Sequence, residues 1–410
     1  MASTASKTKR RKAKNTSLSH HPSQDSSFLS AFSPSADLFA FVSLAVDKHR
    51  LRIHDTHTGR SISEYIVDSA RVTTLSWATF QSPKSLGDGR ETEDVVPRKK
   101  RKKRNASTTH SVPEPEATPV VVLGLSTGSV VVFSPSHARV IRTLSNPSNT
   151  SSILSVDVYT DIRGATLFCL TLGADGLIRT WNTQTGELLS STKTDDRLPG
   201  TSLALRPGIE SDHPSFLLAH HSIRLLSVSS DSLLTSPQKL TEEARFIGHA
   251  SHVTMLRWQP FDNDSSSPRR FASVAKSDRI VHIWEVPRVS GSEGKLVATA
   301  PLDSDARHIA FPQSPLHPSL LALSTSGRIM IFSATNDQGT TTPSKKTKAA
   351  KVATLSPRSS MTISFKRGMT AQVINAAFEQ DGRIRVAWLA GGVRPVFDVV
   401  VSPSVSHAPL

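Results

Sequence analysis

Apolar residues occur in short runs along most of this chain, and the runs are divided by turn residues. Phe28-Leu-Ser-Ala-Phe-Ser-Pro34 reads as a strand and turn. Leu38-Phe-Ala-Phe-Val-Ser-Leu44 reads as a strand buried on both faces, Leu51-Arg-Ile-His-Asp55 as an alternating strand, and Ser61 to Val67 as an outer one. Runs of this length with turn signals between them predict strands, and no window carries the 3.6-residue period of a helix. The same unit returns along the chain. Its third strand is predicted to end at Asp55, Ser134, Asn182, Ser227, Glu285, Ser333 and Asp398. A unit that cannot cover its own apolar faces must stack on its neighbours.

The fullest unit runs from Gly248 to Glu285. It opens Gly248-His249-Ala-Ser-His-Val and closes Phe271-Ala-Ser-Val-Ala-Lys-Ser-Asp278-Arg-Ile-Val-His-Ile-Trp284-Glu285. This stretch resembles a WD repeat, one blade of a β-propeller. The resemblance implies a buried hydrogen-bonded set of His249, Ser273, Asp278 and Trp284. A second unit repeats part of it: Asp175 stands six residues before Trp181, as Asp278 stands before Trp284. Thr185-Gly186 likewise matches Thr58-Gly59. In other units His54 and Phe133 occupy the Trp position, and the unit from Ser202 to Val228 has neither Trp nor turn Asp. Seven units predict an all-β fold, a seven-bladed WD-repeat propeller over 28–402. The ending Ser402-Pro-Ser-Val-Ser-His-Ala-Pro-Leu410 is poor strand material, and 403–410 reads as a tail. The last blade is therefore expected to have three strands, or to take its fourth from the segment before Phe28.

Charge changes the picture at three places. Lys7 to Lys14 holds six Lys/Arg, Arg98 to Arg104 seven, and Lys345 to Lys351 four, with no acid in any run. Removing these 17 charges from a net charge of +15 leaves the remainder at −2. The positive excess is thus expected on disordered segments: a tail over 1–27, an insert over 81–118 and a polar loop over 334–351. Lys9, Arg10, Arg11 and Lys12, and Arg98, Lys99, Lys100, Arg101, Lys102, Lys103 and Arg104, fit a nuclear address or weak contact with an RNA backbone.

The remaining chemistry is expected to be structural. No phosphate-binding Gly-rich loop, dinucleotide fingerprint, His-Glu-x-x-His or Gly-x-Ser-x-Gly is present. The turn acids Asp175 and Asp278 read as structural, so neither an enzyme nor a catalytic residue is expected. His249 and His252, three apart, would point to opposite faces of a strand, so no metal site is expected. No cofactor and no small-molecule substrate are expected. Cys169, the single cysteine, lies in a buried-strand pattern and reads as a packed thiol. One cysteine excludes a disulfide within one chain and suits a reducing compartment. The basic N-terminus lacks a secretory apolar stretch, and no apolar run is long enough to span a bilayer.

The order of several motifs resembles the nucleolar WD-repeat proteins of the small-subunit processome, in its transcription-coupled, U-three snoRNA-associated subcomplex. The motifs are Ala31-Phe-Ser-Pro, Leu51-Arg-Ile-His-Asp, Val122-Leu-Gly-Leu-Ser-Thr-Gly-Ser, Gly173-Ala-Asp-Gly-Leu-Ile-Arg-Thr-Trp-Asn-Thr-Gln-Thr-Gly and Phe246-Ile-Gly-His-Ala-Ser-His-Val. The resemblance covers about 28–400. It implies a non-enzymatic nucleolar scaffold for pre-rRNA processing, linked to rRNA transcription. Its partners would be other processome proteins on the propeller faces, with pre-rRNA or snoRNA touched weakly by the basic segments. Such proteins continue into an α-helical C-terminal domain, whose pattern is not seen before Leu410. A nuclear WD-repeat adaptor for chromatin or a ubiquitin ligase is the alternative reading.

Overall fold

Val130–Ser134, Leu167–Gly173 and Ser319–Ser324 are apolar or small at nearly every consecutive position, because both faces of these strands are covered. The computed structural model describes residues 29–45, 48–68, 70–81, 117–148, 150–160, 167–194, 200–207, 214–228, 240–259, 269–312, 319–333, 352–363, 371–391 and 394–400. These residues form seven sheets, antiparallel except for a short parallel edge strand on two of them, and no helix occurs among them. Each sheet is a meander in which the innermost strand comes first in sequence. Blade one, for example, runs Ser30–Phe32, Leu38–Ala45, Lys48–Asp55 and Ser61–Val67. The result is the expected seven-bladed propeller.

The apolar core is divided among the junctions. Seven buried clusters are found, one between each pair of neighbouring blades. Alternation within a strand sends side chains to two clusters: Phe271 packs toward blade four, and Ala272 and Val274 toward blade six. Burial of both faces is thus what makes the blades stack. Cys169 lies fully buried between blades two and three, and burial pushes its thiol pKa up.

Hydrogen bonds between inner strands thread most of these junctions. Trp77 Nε1 donates to Ala31 O at 3.0 Å, and Trp258 Nε1 donates to Ala204 O at 3.2 Å. Thr73 Oγ1 donates to Ile153 O, Thr201 Oγ1 to Val253 O, and Arg307 Nη1 to Val373 O. Between blades three and four, the Asp157 carboxylate accepts the Leu205 N–H at 2.9 Å.

Blade seven is three-stranded among the described residues: Ala371–Phe378, Ile384–Ala390 and Arg394–Val400. Among the described residues the junction between blades seven and one holds the smallest cluster: Phe39, Phe41, Ile374, Ala387 and Leu389, with Phe32 and Phe397 against them. Polar contacts reinforce it. Asn375 Nδ2 donates to Ser30 O at 3.0 Å, and Arg394 Nη2 to Gly59 O at 3.0 Å. Arg385, only 5% exposed in its side chain, pairs with Glu379 and donates across the seam to Thr56 O at 3.0 Å. Its Nη2 also donates to His57 Nδ1 at 3.3 Å, and the His57 Nε2–H then donates to Asp37 at 3.0 Å.

Two additions were not expected. Ser292–Glu293 adds a parallel strand to the outer edge of blade four, and Ala353–Thr354 does the same for blade five. In both cases the connection between a blade's third and fourth strands covers the preceding blade's edge, which leaves fewer unpaired backbone groups there.

Candidate functional site

Blade five brings its four predicted side chains together. Asp278 can only accept, so the His249 Nδ1–H donates to it, at 3.2 Å. That leaves His249 Nε2 as an acceptor for the Ser273 hydroxyl at 2.7 Å. Ser273 Oγ in turn accepts the Trp284 indole N–H at 2.7 Å. Every proton has one place to go, and the set runs from the turn into the blade interior. Gly248 is required beside it: a Cβ there would meet Trp284 Cη2 at 2.9 Å.

Blade three solves the same problem differently. Trp181 Nε1 donates to Thr171 Oγ1 at 3.1 Å, and the Thr171 hydroxyl donates to Arg179 O. Asp175 is held by the buried Arg179 guanidinium instead of a histidine. Desolvation would raise the Asp175 pKa, but the Arg179 hydrogen bond, the Leu177 N–H and the Arg179 charge together hold it low.

His282 sits where Arg179 sits, two residues before Trp, at a position that no local sequence signal marks. It stacks on His249 with centroids 4.2 Å apart and planes at 17°, and its Nδ1 is buried without a partner among the described residues. His249, Asp278 and His282 offer atoms within 4.8 Å of one another. They do not suit a metal: His249 uses both ring nitrogens, and the in-plane lone pairs of near-parallel imidazoles do not converge on one ion. His252 precedes the strand Val253–Trp258, as does His249, so the opposite-face argument for this pair does not apply. His252 instead lies near His220, with ring centroids 6.5 Å apart.

Burial lowers both stacked imidazoles against the pull of Asp278; His282, pressed further by His249, is pushed down to about 4. A histidine whose folded pKa lies below its unfolded value costs stability as pH falls from about 6.5 toward the folded pKa, and costs nothing above that window. Lowering pH from 7 to 5 is therefore expected to remove roughly 2 kcal/mol through His282. Thermal melts of the native chain and of His282→Leu at both pH values check this. The variant should lose less, and equal losses would contradict it.

The inner strands enclose a channel of about 700 Å³. Asp157, Arg257 and His308 line it. Protein surrounds all three, yet the lumen is wide enough to leave Arg257 exposed and the other two partly so. Burial raises Asp157, against hydrogen bonds from the Leu205 and Val158 N–H groups; burial and the Arg257 charge lower His308 to about 3. Burial also lowers Arg257, with Asp157 opposing.

Antiparallel meanders place the first-to-second and third-to-fourth connections of every blade at one end of the sheets. At that end a cleft of about 460 Å³ is lined by Trp77, Tyr159, Arg206, Arg257 and Trp258 among others. A second hollow, of about 350 Å³, adjoins it through Arg206 and is lined by Glu243, Arg269 and Arg288. Gln81 pairs with Ala117 at this same end, and Ser333 closes a third strand there. The connections carrying Arg98–Arg104 and Lys345–Lys351 thus join the ring on this face, while the His249–Asp278 turn lies on the other. The basic residues themselves, Lys9 to Lys12 and Arg98 to Arg104, lie outside the described residues.

No family model and no curated protein matches this sequence. Among solved structures, the chain is similar to one from the crystal structure of a mitotic checkpoint complex, at TM-score 0.56 and 13% identity over 98% of each chain. At that identity the likeness concerns the fold alone.

Proposed function

We propose that this protein is a non-enzymatic nucleolar scaffold for early small-subunit ribosome biogenesis. Its ring would dock other processome proteins, and its basic segments would hold it near pre-rRNA. The observation that carries this reading is the placement of cationic excess. Two basic connections join one face of a ring whose strands are themselves used up in stacking. The order of motifs from Ala31-Phe-Ser-Pro to Phe246-Ile-Gly-His supports the processome over other scaffold roles. Phosphate contacts by such segments add affinity without sequence preference and fall with salt.

Affinity purification of the full chain, with identification of bound RNA and protein, tests the reading. Pre-rRNA with processome proteins is the expected result. Histones or ubiquitin-ligase subunits in their place would overturn it. Deleting Arg98 to Arg104 should reduce nucleolar localisation or RNA recovery and leave the melting temperature unchanged. A deletion variant that fails to fold would show that these residues belong to the ring.

A further inference from the structure

We infer that the face bearing the two basic connections also holds an ordered site for single-stranded RNA, built from the cleft and hollow that share Arg206. The inference rests on the reading of this protein as RNA-associated, but it places the contact on folded residues.

Among the described residues three arginines, Arg206, Arg269 and Arg288, line the hollow with one acid, Glu243. Burial lowers the Arg206 pKa; Glu243 works against this, and the Arg269 charge adds to it. Among the described lining residues arginines outnumber carboxylates three to one, a surplus suited to an anion. Arg288 is exposed and makes no ion pair among the described residues. Arg206 also lies over the Trp258 ring, 5.4 Å from its centroid. That contact places the guanidinium where the hollow meets the cleft. Beyond Arg206 the cleft adds aromatic surface, beside a second arginine, Arg257, and one carboxylate, Asp157. Trp77 is half-buried, and Tyr159 stacks on Phe168 with centroids 5.2 Å apart. Phosphate-binding arginines that lead into an aromatic-lined cleft match the two halves of a nucleotide. A concave cleft between strand ends admits a splayed base and not a stacked duplex, which selects single strands. An acidic peptide would use the arginines but leave Trp77 and Tyr159 without a role.

The test uses the purified full chain and a labelled twelve-nucleotide oligouridylate, followed by fluorescence anisotropy across a salt series. Arg269→Ala with Arg288→Ala is expected to weaken binding at least tenfold. It should also reduce the slope of log affinity against log salt by about 1.4, the share of two phosphates on a single strand. Arg71→Ala with Arg279→Ala, both exposed on the opposite face, is the control and should change affinity less than twofold. Arg288→Glu, at an exposed position, gives the same loss should the double variant melt early. Ultraviolet cross-links are expected at Trp77 or Tyr159. Unchanged affinity in folded Arg288→Glu, equal binding of a duplex of the same length, or displacement by an acidic or phosphorylated peptide at lower concentration than unlabelled RNA would each overturn the site. Because the probe is a defined oligonucleotide, the site can hold while the processome reading fails. The reverse outcome is RNA recovered from cells with these variants binding as the native chain does.

Discussion

Trp284→Ala is expected to lower the stability of the ring by about 3–5 kcal/mol. The indole is 1% exposed and is, with Trp258, one of the two largest side chains in the cluster joining blades four and five. It packs near Phe246 and Phe271, with centroids 5.8 and 6.4 Å away. Removing it opens a cavity in a junction that the surrounding strands cannot close without moving. It also deprives Ser273 Oγ of its indole donor, so part of the loss is polar. Trp284→Phe separates the two effects: it keeps much of the packing, and the lost hydrogen bond should cost about 1 kcal/mol. Denaturant unfolding of both variants measures this. A loss below about 1 kcal/mol for Trp284→Ala would show that this junction is not packed as described.

Arg385→Ala should rank beside it, at about 3–5 kcal/mol, by a different route. The substitution leaves Glu379, 9% exposed, buried with only Arg383 Nε at 3.1 Å, and strips Thr56 O of its donor across the seam. A buried charge that loses its partner costs more than the pair contributed. The damage should also be local, because the seam between blades seven and one has the least apolar burial to hold it. Amide hydrogen exchange is expected to quicken over 30–41 and 371–378 well before 253–285. Uniform quickening around the ring would mean that the seam is no weaker than the other junctions.

The sequence revealed most of what repeats and little of what crosses between repeats. Equal Asp-to-Trp spacing exposed blades three and five, and doubly buried runs such as Val130–Ser134 exposed the middle strands. His249, Ser273, Asp278 and Trp284 were legible because one short stretch contains all four. His282 and Arg179 were not, since a residue two before Trp reads as one more strand position until its neighbour is seen. The bond between Arg385 and Thr56 joins positions 329 residues apart, and no local pattern announces it. Ser292–Glu293 and Ala353–Thr354 are each two residues long, too short to carry a period. The Arg206–Trp258 contact likewise joins two blades, and only the stacking of their inner strands brings it about.

The seven sheets form a closed ring in which the first and last blades meet directly. An experimental structure of the full chain, by crystallography or single-particle imaging, would show whether the ring closes. Seven sheets are expected, with Asn375 hydrogen-bonded to Ser30 and Arg385 reaching the Thr56 carbonyl. A ring with another number of sheets, or an open arc with those two contacts missing, would contradict it.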